Sequence, residues 1–194
     1  MEKINVIIIH GAYGHPEENW FGWLKNELQA LGIACSVPQL PTPENQNIEQ
    51  WMLAFNKACK RIINFQTVFI GHSLGAVFAL RWLEKNNVKL FATFLIGTFL
   101  GEVGIEKFDS INKDFFKNPF NWQKIYTKSH QFIAYHGDND PYVKRQDFDF
   151  IADQLAAKKI ILSNAGHMNT ASGYSTFPQL LLHLQQLRDI YHHA

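Results

Sequence analysis

Two kinds of apolar segment alternate along the chain. Short runs rich in β-branched and aromatic residues have the length and composition of buried strands. They cover residues 5–10, 33–38, 67–70, 90–96, 131–136 and 158–162. The segments between them carry apolar residues at every third or fourth position, which is typical of amphipathic helices. They cover residues 19–31, 47–63, 74–85, 148–157 and 177–191. The chain therefore alternates between predicted strands and predicted helices.

This alternation predicts an α/β fold in three layers. Six strands separated by helices imply a sheet of about six mainly parallel strands, with helices on both faces. In such a sheet the functional side chains lie in loops that follow the carboxyl ends of the strands. Loops of this kind follow His10, Ile70, His136 and Leu162. The functional residues are therefore expected in these loops.

The apolar faces of the helices indicate which residues enter the core. In the first helix Leu24, Leu28 and Leu31 share one side, and in the second the apolar face extends to Ile62. Residues 98–129 form the least regular region, with short helical fragments and many aromatic side chains. At 194 residues we expect a single domain over 1–194, in which residues 98–129 are the candidate for a small lid.

Composition narrows the classes of protein. Hydrophobic residues make up 46% of the chain and charged residues 18%, which excludes a disordered protein. The net charge of +1 and the lack of like-charge blocks point away from nucleic acid and from anionic membranes. The N-terminus lacks the layout of a signal peptide, and Cys35 and Cys59 form no metal-binding pattern. We therefore expect a cytoplasmic protein with two reduced, buried cysteines and with no metal or organic cofactor.

The segment with the clearest chemistry is residues 68–76, where an apolar strand meets a helix at G-H-S-L-G. A serine between two glycines, after a strand and before a helix, is the arrangement of a nucleophile elbow. Glycine at both positions lets the chain reverse sharply around the serine. The turn also places Ser73 at a helix N-terminus, where N–H groups stabilise negative charge. The alternative interpretation is an ordinary Gly-Ser turn.

A nucleophilic serine needs a histidine as base and a carboxylate that orients it. Asp138 and Asp140 follow the fifth strand, and His167 follows the sixth. The order serine, acid, histidine is the one that this architecture uses. Asp140 is favoured because it lies deeper in the loop and is followed by proline, with Asp138 as the alternative. Both could instead serve the turn alone.

The chain contains nine histidines, and their positions separate them. His72 adjoins the serine, but neighbouring side chains in a tight turn point apart, so it is excluded as the base. His10 and His136 end strands and are interpreted as hydrogen-bonded structural residues. The others, apart from His167, are interpreted as surface or loop residues: His15, His130, His183, His192 and His193.

An oxyanion that forms during acyl transfer needs fixed donors, and backbone N–H groups serve best. Leu74 directly follows the nucleophile and provides one such group. The loop after the first strand, His10-Gly11-Ala12, provides a second at Ala12, where small residues allow close approach. These residues could also be only a turn.

Taken together, these motifs resemble the α/β-hydrolases, and specifically the small serine hydrolases of the RBBP9/YdeN type. The resemblance covers nearly the whole chain. It rests on I-I-I-H-G-A-Y-G-H-P at 7–16, W-F-G-W-L-K at 20–25, G-H-S-L-G-A at 71–76, F-F-K-N-P-F-N-W-Q-K-I at 115–125, H-G-D-N-D-P-Y-V at 136–143 and A-G-H-M-N at 165–169. It implies Ser73, Asp140 and His167 as the catalytic triad on an open six-stranded sheet. Lys144 departs from the family pattern, in which proline often follows the valine of the acid loop.

The sequence therefore predicts a serine hydrolase that cleaves small carboxylic esters or amides through an acyl-serine. A peptidase or thioesterase with the same triad, and a binding protein with a vestigial site, are the alternatives. The expected substrate is a small molecule, with no nucleic acid or membrane partner. Candidate residues of its pocket are Tyr13, Phe99, Trp122 and Met168.

Overall fold

The structure is a computed structural model that describes residues 4–193, with side chains as far as Asp189. Predictions for residues 1–3 and for the side chains of His192 and His193 lie outside this part of the chain. Six strands form one sheet in the order β2-β1-β3-β4-β5-β6, and every neighbouring pair is parallel. The strands are β1 (Asn5–Ile9), β2 (Ala34–Ser36), β3 (Thr67–His72), β4 (Leu90–Ile96), β5 (Ser129–Gly137) and β6 (Lys158–Leu162). The predicted parallel sheet is confirmed.

Helices cover both faces of this sheet. They are α1 (Phe21–Ala30), α2 (Ile48–Cys59), α3 (Leu74–Lys85), α4 (Glu106–Asn112), α5 (Trp122–Tyr126), α6 (Arg145–Gln154) and α7 (Pro178–His193). On one face α1 and α7 pack against the sheet, and on the other α2, α3, α5 and α6 do so. Successive strand residues alternate between the faces, so that Phe69 joins one core while Val68 and Ile70 join the other. The predicted three-layer fold is therefore confirmed.

Two helices end earlier than their apolar pattern predicts. Helix α1 ends at Ala30, and Leu31 is 37% exposed, so it does not belong to the core as predicted. Helix α2 ends at Cys59 and passes into a short 3₁₀ turn, which leaves Ile62 at 41% exposure. In both cases the last apolar residue lies where the chain has begun to turn back toward the next strand. It therefore no longer faces the sheet.

The irregular region 98–129 contains α4, a 3₁₀ turn at Lys113–Phe116 and α5. Its second half is tied to the body of the fold by Arg81 of helix α3, which is only 6% exposed. Arg81 donates hydrogen bonds to the carbonyls of Phe115, at 2.8 Å, and Asn118. Its guanidinium also lies 3.5 Å from the ring centre of Phe120. Arg81 thus anchors the second half of this region to helix α3.

Candidate active site

Ser73 stands at the turn between strand β3 and helix α3. Its backbone has φ 55° and ψ −124°, a conformation that residues other than glycine rarely adopt. Its N–H donates to the carbonyl of Ile96 at 2.8 Å, which ties the turn to strand β4. A Cβ at Gly71 or at Gly75 would overlap backbone atoms of helix α3 or of strand β1. The two glycines thus permit the sharp reversal that presents the serine.

His167 and Asp140 connect the loops after strands β6 and β5. Nδ1 of His167 lies 2.7 Å from Oδ2 of Asp140, whose side chain is fully buried. The second oxygen, Oδ1, accepts the N–H groups of Tyr142 at 2.9 Å and Val143 at 3.1 Å. Burial alone would raise the pKa of Asp140, but the hydrogen bonds and the attraction of His167 outweigh it and hold that pKa below its ordinary value. An ionised Asp140 makes Nδ1 of His167 the donor, which leaves a lone pair on Nε2.

Asp138, the alternative acid, lies in the same loop but does not reach His167. It is exposed, and its Oδ1 accepts the N–H of Asn164 at 2.7 Å. The next residue, Asn139, accepts the N–H of Gly166 at 2.7 Å. Both bonds hold the two loops together, whereas the side chain of Asp140 turns inward. The structure therefore brings Asp140, and not Asp138, to His167.

The ring of His72, next to Ser73 in the chain, packs against the ring of His167. The two rings have centroids 5.0 Å apart, and Nε2 of His72 donates to the backbone carbonyl of His167 at 2.9 Å. Burial, with a smaller contribution from nearby His167, lowers the pKa of His72 to about 3. His72 is therefore neutral, and its hydrogen bond fixes the backbone of His167. This agrees with the exclusion of His72 as the base.

Gly97, which follows strand β4, also belongs to this site, although sequence reasoning did not select it. It has φ +58°, and a Cβ at this position would lie 2.9 Å from Cε1 of His167. Only a residue without a side chain leaves room for the imidazole. A glycine at a strand end beside the elbow strand was the signal available in the sequence.

The loop after strand β1 is held by two buried side chains. Nε2 of His10 accepts the N–H of Leu40 at 3.0 Å, and its Nδ1 donates to the carbonyl of Gly11 at 2.8 Å. Burial lowers the pKa of His10, so the ring stays neutral. Oε1 of Gln46 accepts the N–H of Tyr13 at 3.0 Å. The N–H of Tyr13 is therefore already occupied.

The positions predicted to stabilise an oxyanion, Ala12 and Leu74, both lie beside Ser73. Ala12 borders the same cavity as the serine, and a Cβ at neighbouring Gly11 would lie 3.1 Å from the Cβ of Ser73. Leu74 is the first residue of helix α3, where an N–H has no acceptor within its own helix. Ala12 and Leu74 thus belong to two different elements that meet near the serine.

A cavity of about 580 Å³ opens over Ser73 and His167. Two of the four predicted pocket residues, Tyr13 and Phe99, line it. The remaining lining residues are Gly11, Ala12, Glu18, Asn19, His72, Val103, Ile105, Lys107, Phe108, Tyr142, Val143 and Asn169. Of the predicted lid, only residues 99–108 contribute to the lining.

The other two predicted pocket residues, Trp122 and Met168, are not in this lining, which corrects the prediction. Trp122 stacks on Phe120, with ring centroids 4.9 Å apart, and packs on helix α6 through Phe150. Met168 is fully buried in the core beneath the sheet, and its carbonyl accepts from the indole N–H of Trp20 at 3.0 Å. Trp122 belongs to the anchored half of region 98–129, and Met168 points inward although it follows His167.

Several lining residues could not be selected from the chain alone. Glu18 and Asn19 precede helix α1, Lys107 and Phe108 lie in α4, and Tyr142 follows Asp140. Glu18, Asn19, Lys107 and Phe108 lie outside every motif, and the motif that contains Tyr142 does not show that its side chain faces the cavity. Tertiary packing brings these residues together. Among the side chains of residues 4–189, no cluster of three or more His, Cys, Asp or Glu residues could hold a metal ion. Between residues 4 and 193, no helix is long and apolar enough to span a bilayer.

The six-stranded parallel sheet with helices on both faces has the α/β-hydrolase fold. A family model described as serine hydrolase matches residues 6–186, and the chain belongs to this family.

Its similarity to known members extends over most of their length. Serine hydrolase RBBP9 of Rattus norvegicus is 26% identical over 168 residues, which cover 85% of this chain and 86% of that protein. The hydrolase YdeN of Bacillus subtilis is 25% identical over 176 residues, covering 89% and 90% respectively. The crystal structure of the ydeN gene product superimposes with a TM-score of 0.87 at 24% identity, over 95% of this chain and 98% of that one. The predicted resemblance is therefore confirmed.

Proposed function

We propose that this serine hydrolase cleaves small carboxylic esters, and amides as a second class, through an acyl-serine intermediate. Ser73 is the nucleophile, His167 the general base and acid, and Asp140 the group that orients His167. The observation that carries the proposal is the 2.7 Å hydrogen bond between His167 and buried Asp140, in a cavity that also contains Ser73. A serine hydroxyl is too weakly acidic to attack a carbonyl without such a base.

The reaction begins when Oγ of Ser73 attacks the substrate carbonyl carbon and its proton passes to Nε2 of His167. Asp140 stabilises the resulting imidazolium through Nδ1–H. When the tetrahedral intermediate collapses, the leaving alcohol or amine takes the proton from Nε2. Water then attacks the acyl-serine, gives its proton to Nε2, and the second collapse returns that proton to Ser73 with release of the acid.

The negative charge of each tetrahedral intermediate is stabilised by the N–H groups of Ala12 and Leu74. Helix α3 adds the positive end of its dipole at the same point. Loss of one such donor typically costs about a hundredfold to a thousandfold in kcat. The hydrogen bond between Tyr13 and Gln46 supports this assignment, because it removes the next N–H along the loop as a competing donor.

The cavity suits a short or medium acyl group. Its volume of about 580 Å³ is that of a small-molecule site, and aromatic side chains line part of it. Region 98–129 is the candidate lid, through residues 99–108. The family's machinery is also compatible with peptide or thioester cleavage, which remain the second candidates. Both cysteines are free and buried, which supports a reducing, cytoplasmic location.

Labelling with a fluorophosphonate probe tests the nucleophile. We expect the wild-type protein to label and a folded Ser73→Ala variant not to label. A panel of p-nitrophenyl esters and aminoacyl anilides that vary in chain length then tests the substrate class. We expect the highest kcat/KM for short acyl esters. Equal labelling of both proteins would overturn the enzyme proposal, and rates that rise beyond medium chains would overturn the substrate class.

A further inference from the structure

The cavity over Ser73 contains one carboxylate that the proposed reaction does not use. Glu18 lines this cavity from the segment between strand β1 and helix α1, and it is half-buried. The charge of this carboxylate therefore acts on any substrate that enters the cavity.

The position of the Glu18 carboxylate is defined by the backbone around it. A Cβ at Gly14 would overlap Oε1 of Glu18, so the carboxylate occupies the space that a side chain at position 14 would fill. The N–H of Glu18 itself donates to the carbonyl of His15 at 3.3 Å, which fixes the backbone of this turn. The carboxylate is thus held against the backbone and is not a freely moving surface group.

Glu18 has no cationic partner among the described residues. No lysine, arginine or histidine nitrogen in residues 4–189 lies within 4.0 Å of its carboxylate oxygens. Burial raises the pKa of Glu18, and the nearby His15 offsets this only in part. A cation that entered the cavity would relieve this uncompensated desolvation.

Lys107 is the other side chain in the lining that carries a full charge. It projects from helix α4, is exposed, and makes no ion pair with Glu18. An exposed ammonium is screened by water and salt, so it counts for less than a half-buried carboxylate. The remaining surface favours a cation as well, because aromatic rings attract alkylammonium groups. The rings in the lining are those of Tyr13, Phe99, Phe108 and Tyr142.

We propose that Glu18 and the aromatic wall form a subsite for a positively charged alkylammonium group of the substrate, an inference that rests on the function proposed above for the same cavity. The substrate class is then a small ester or amide that carries a cation on its acyl or its alcohol portion. Glu18 acts as a specificity residue and takes no part in bond breaking.

Matched ester pairs test this subsite. One pair is butyrylcholine and its carbon analogue, in which a tert-butyl group replaces the trimethylammonium group. The other is the p-nitrophenyl ester of trimethylammonio-butyrate and its tert-butyl analogue. Within each pair, size and shape are conserved and only the charge differs. We expect the wild-type protein to favour the cationic member of at least one pair by about fivefold to tenfold in kcat/KM.

Two variants distinguish the effect of Glu18 from the effect of the overall surface charge. Glu18→Gln is expected to abolish the preference, because it removes the negative charge and conserves the size of the side chain. Glu17→Gln is the matched control, because Glu17 is exposed and absent from the cavity lining. It removes the same charge one residue away and is expected to keep the preference. Equal loss of preference in both variants would overturn the subsite.

A binding measurement on the Ser73→Ala protein keeps this test separate from the proposed reaction. Calorimetry with the same uncleaved esters is expected to show tighter binding of the cationic member, and this difference should vanish in Ser73→Ala/Glu18→Gln. If the preference in binding is present but the wild-type protein hydrolyses none of the esters, the proposed function fails and the subsite stands. If cationic and neutral esters bind equally, the subsite is wrong whatever the rates of hydrolysis are.

Discussion

The side chain of Gln46 joins the backbone of Tyr13 to helix α4, and both line the cavity. Its Oε1 accepts the N–H of Tyr13 at 3.0 Å, and its Nε2 donates to Oδ1 of Asn112, in helix α4, at 2.7 Å. Both amide side chains are almost fully buried. The loop that contains Ala12 is thereby linked to the region predicted as a lid.

Gln46→Met is expected to disturb this loop while conserving volume. The thioether cannot accept and donate as the amide does, so the N–H of Tyr13 and the amide of Asn112 lose buried partners. We expect a loss of about 1–3 kcal/mol in the free energy of unfolding. Because Ala12 moves with Tyr13, kcat should fall more than KM rises. Urea denaturation and ester kinetics measure the two effects.

Gln154→Met is the control for that substitution, since Gln154 is exposed at the end of helix α6. It should leave both stability and kcat unchanged. A Gln46→Met enzyme with the stability loss but an unaltered kcat would show that the network supports the fold and not the oxyanion loop.

Asp140→Asn and Asp138→Asn form a matched pair in one loop. In Asp140→Asn the amide can donate to Nδ1 of His167 and so stabilise the wrong tautomer, which should lower kcat by about 10,000-fold. In Asp138→Asn the side-chain oxygen still accepts the N–H of Asn164, so kcat should stay within a few-fold. Steady-state kinetics on the preferred ester measures both. Similar losses in the two variants would contradict the assignment of the acid.

Gly97→Ala should affect the active site through contact. Its Cβ would lie 2.9 Å from Cε1 of His167, so the imidazole must shift. Since a misplacement of about 1 Å can cost about a hundredfold in rate, we expect a loss of that order in kcat. Gly101→Ala and Gly104→Ala are controls, because both glycines have positive φ and neither Cβ would meet an atom within 4 Å. Alanine at either position introduces the backbone strain of a positive φ without a contact to His167. Both variants should therefore retain kcat.

The buried histidines predict that the protein loses stability as the pH falls. The pKa of His72 is lowered from 6.5 to about 3 by burial first and by nearby His167 second, so the unfolded chain binds the proton more readily than the folded one. The stabilisation is fully present above pH 6.5 and decreases as the pH falls toward 3. Burial lowers the pKa values of His10, His136 and His183 as well, which adds to the same trend.

Urea denaturation at a series of pH values between about 8 and about 5 measures this dependence. His72→Asn should reduce the slope of the unfolding free energy against pH, although His10, His136 and His183 keep part of it. Gln154→Met, which replaces an exposed residue without a titratable group, should leave the slope unchanged. An identical slope in wild type and His72→Asn would show that His72 does not remain neutral in the folded state.

Much of the architecture was predictable because strand and helix periods are local. Continuous apolar runs placed all six strands, and the order of elements implied a parallel sheet with its functional loops at one edge. The exceptions, Leu31 and Ile62, lie at helix ends. There the direction of a side chain depends on where the chain turns, and the periodic pattern does not contain that information.

The residues of the candidate site also fall into those that the sequence identifies and those that only the structure identifies. Ser73 and His167 follow from sequence alone, since a nucleophile elbow and a strand-end histidine are defined by their immediate neighbours. Only the structure shows that Asp140, and not Asp138, lies within hydrogen-bond distance of His167. This distance depends on how the loops after β5 and β6 pack. The roles of all three residues in catalysis remain predictions for the experiments above.

Residues brought together from distant parts of the chain lay beyond the reach of the sequence. Gly97 makes room for a ring 70 positions away (167 − 97), and Glu18 enters the cavity only because Gly14 leaves space for it. Trp122 and Met168 were predicted in the pocket for their apolar character, yet they lie in packed regions. The sequence by itself determined the fold class and the candidate residues at the strand ends, since both are set by local pattern. Only the tertiary structure decided which side chains surround that chemistry, because this depends on packing between elements far apart in the chain.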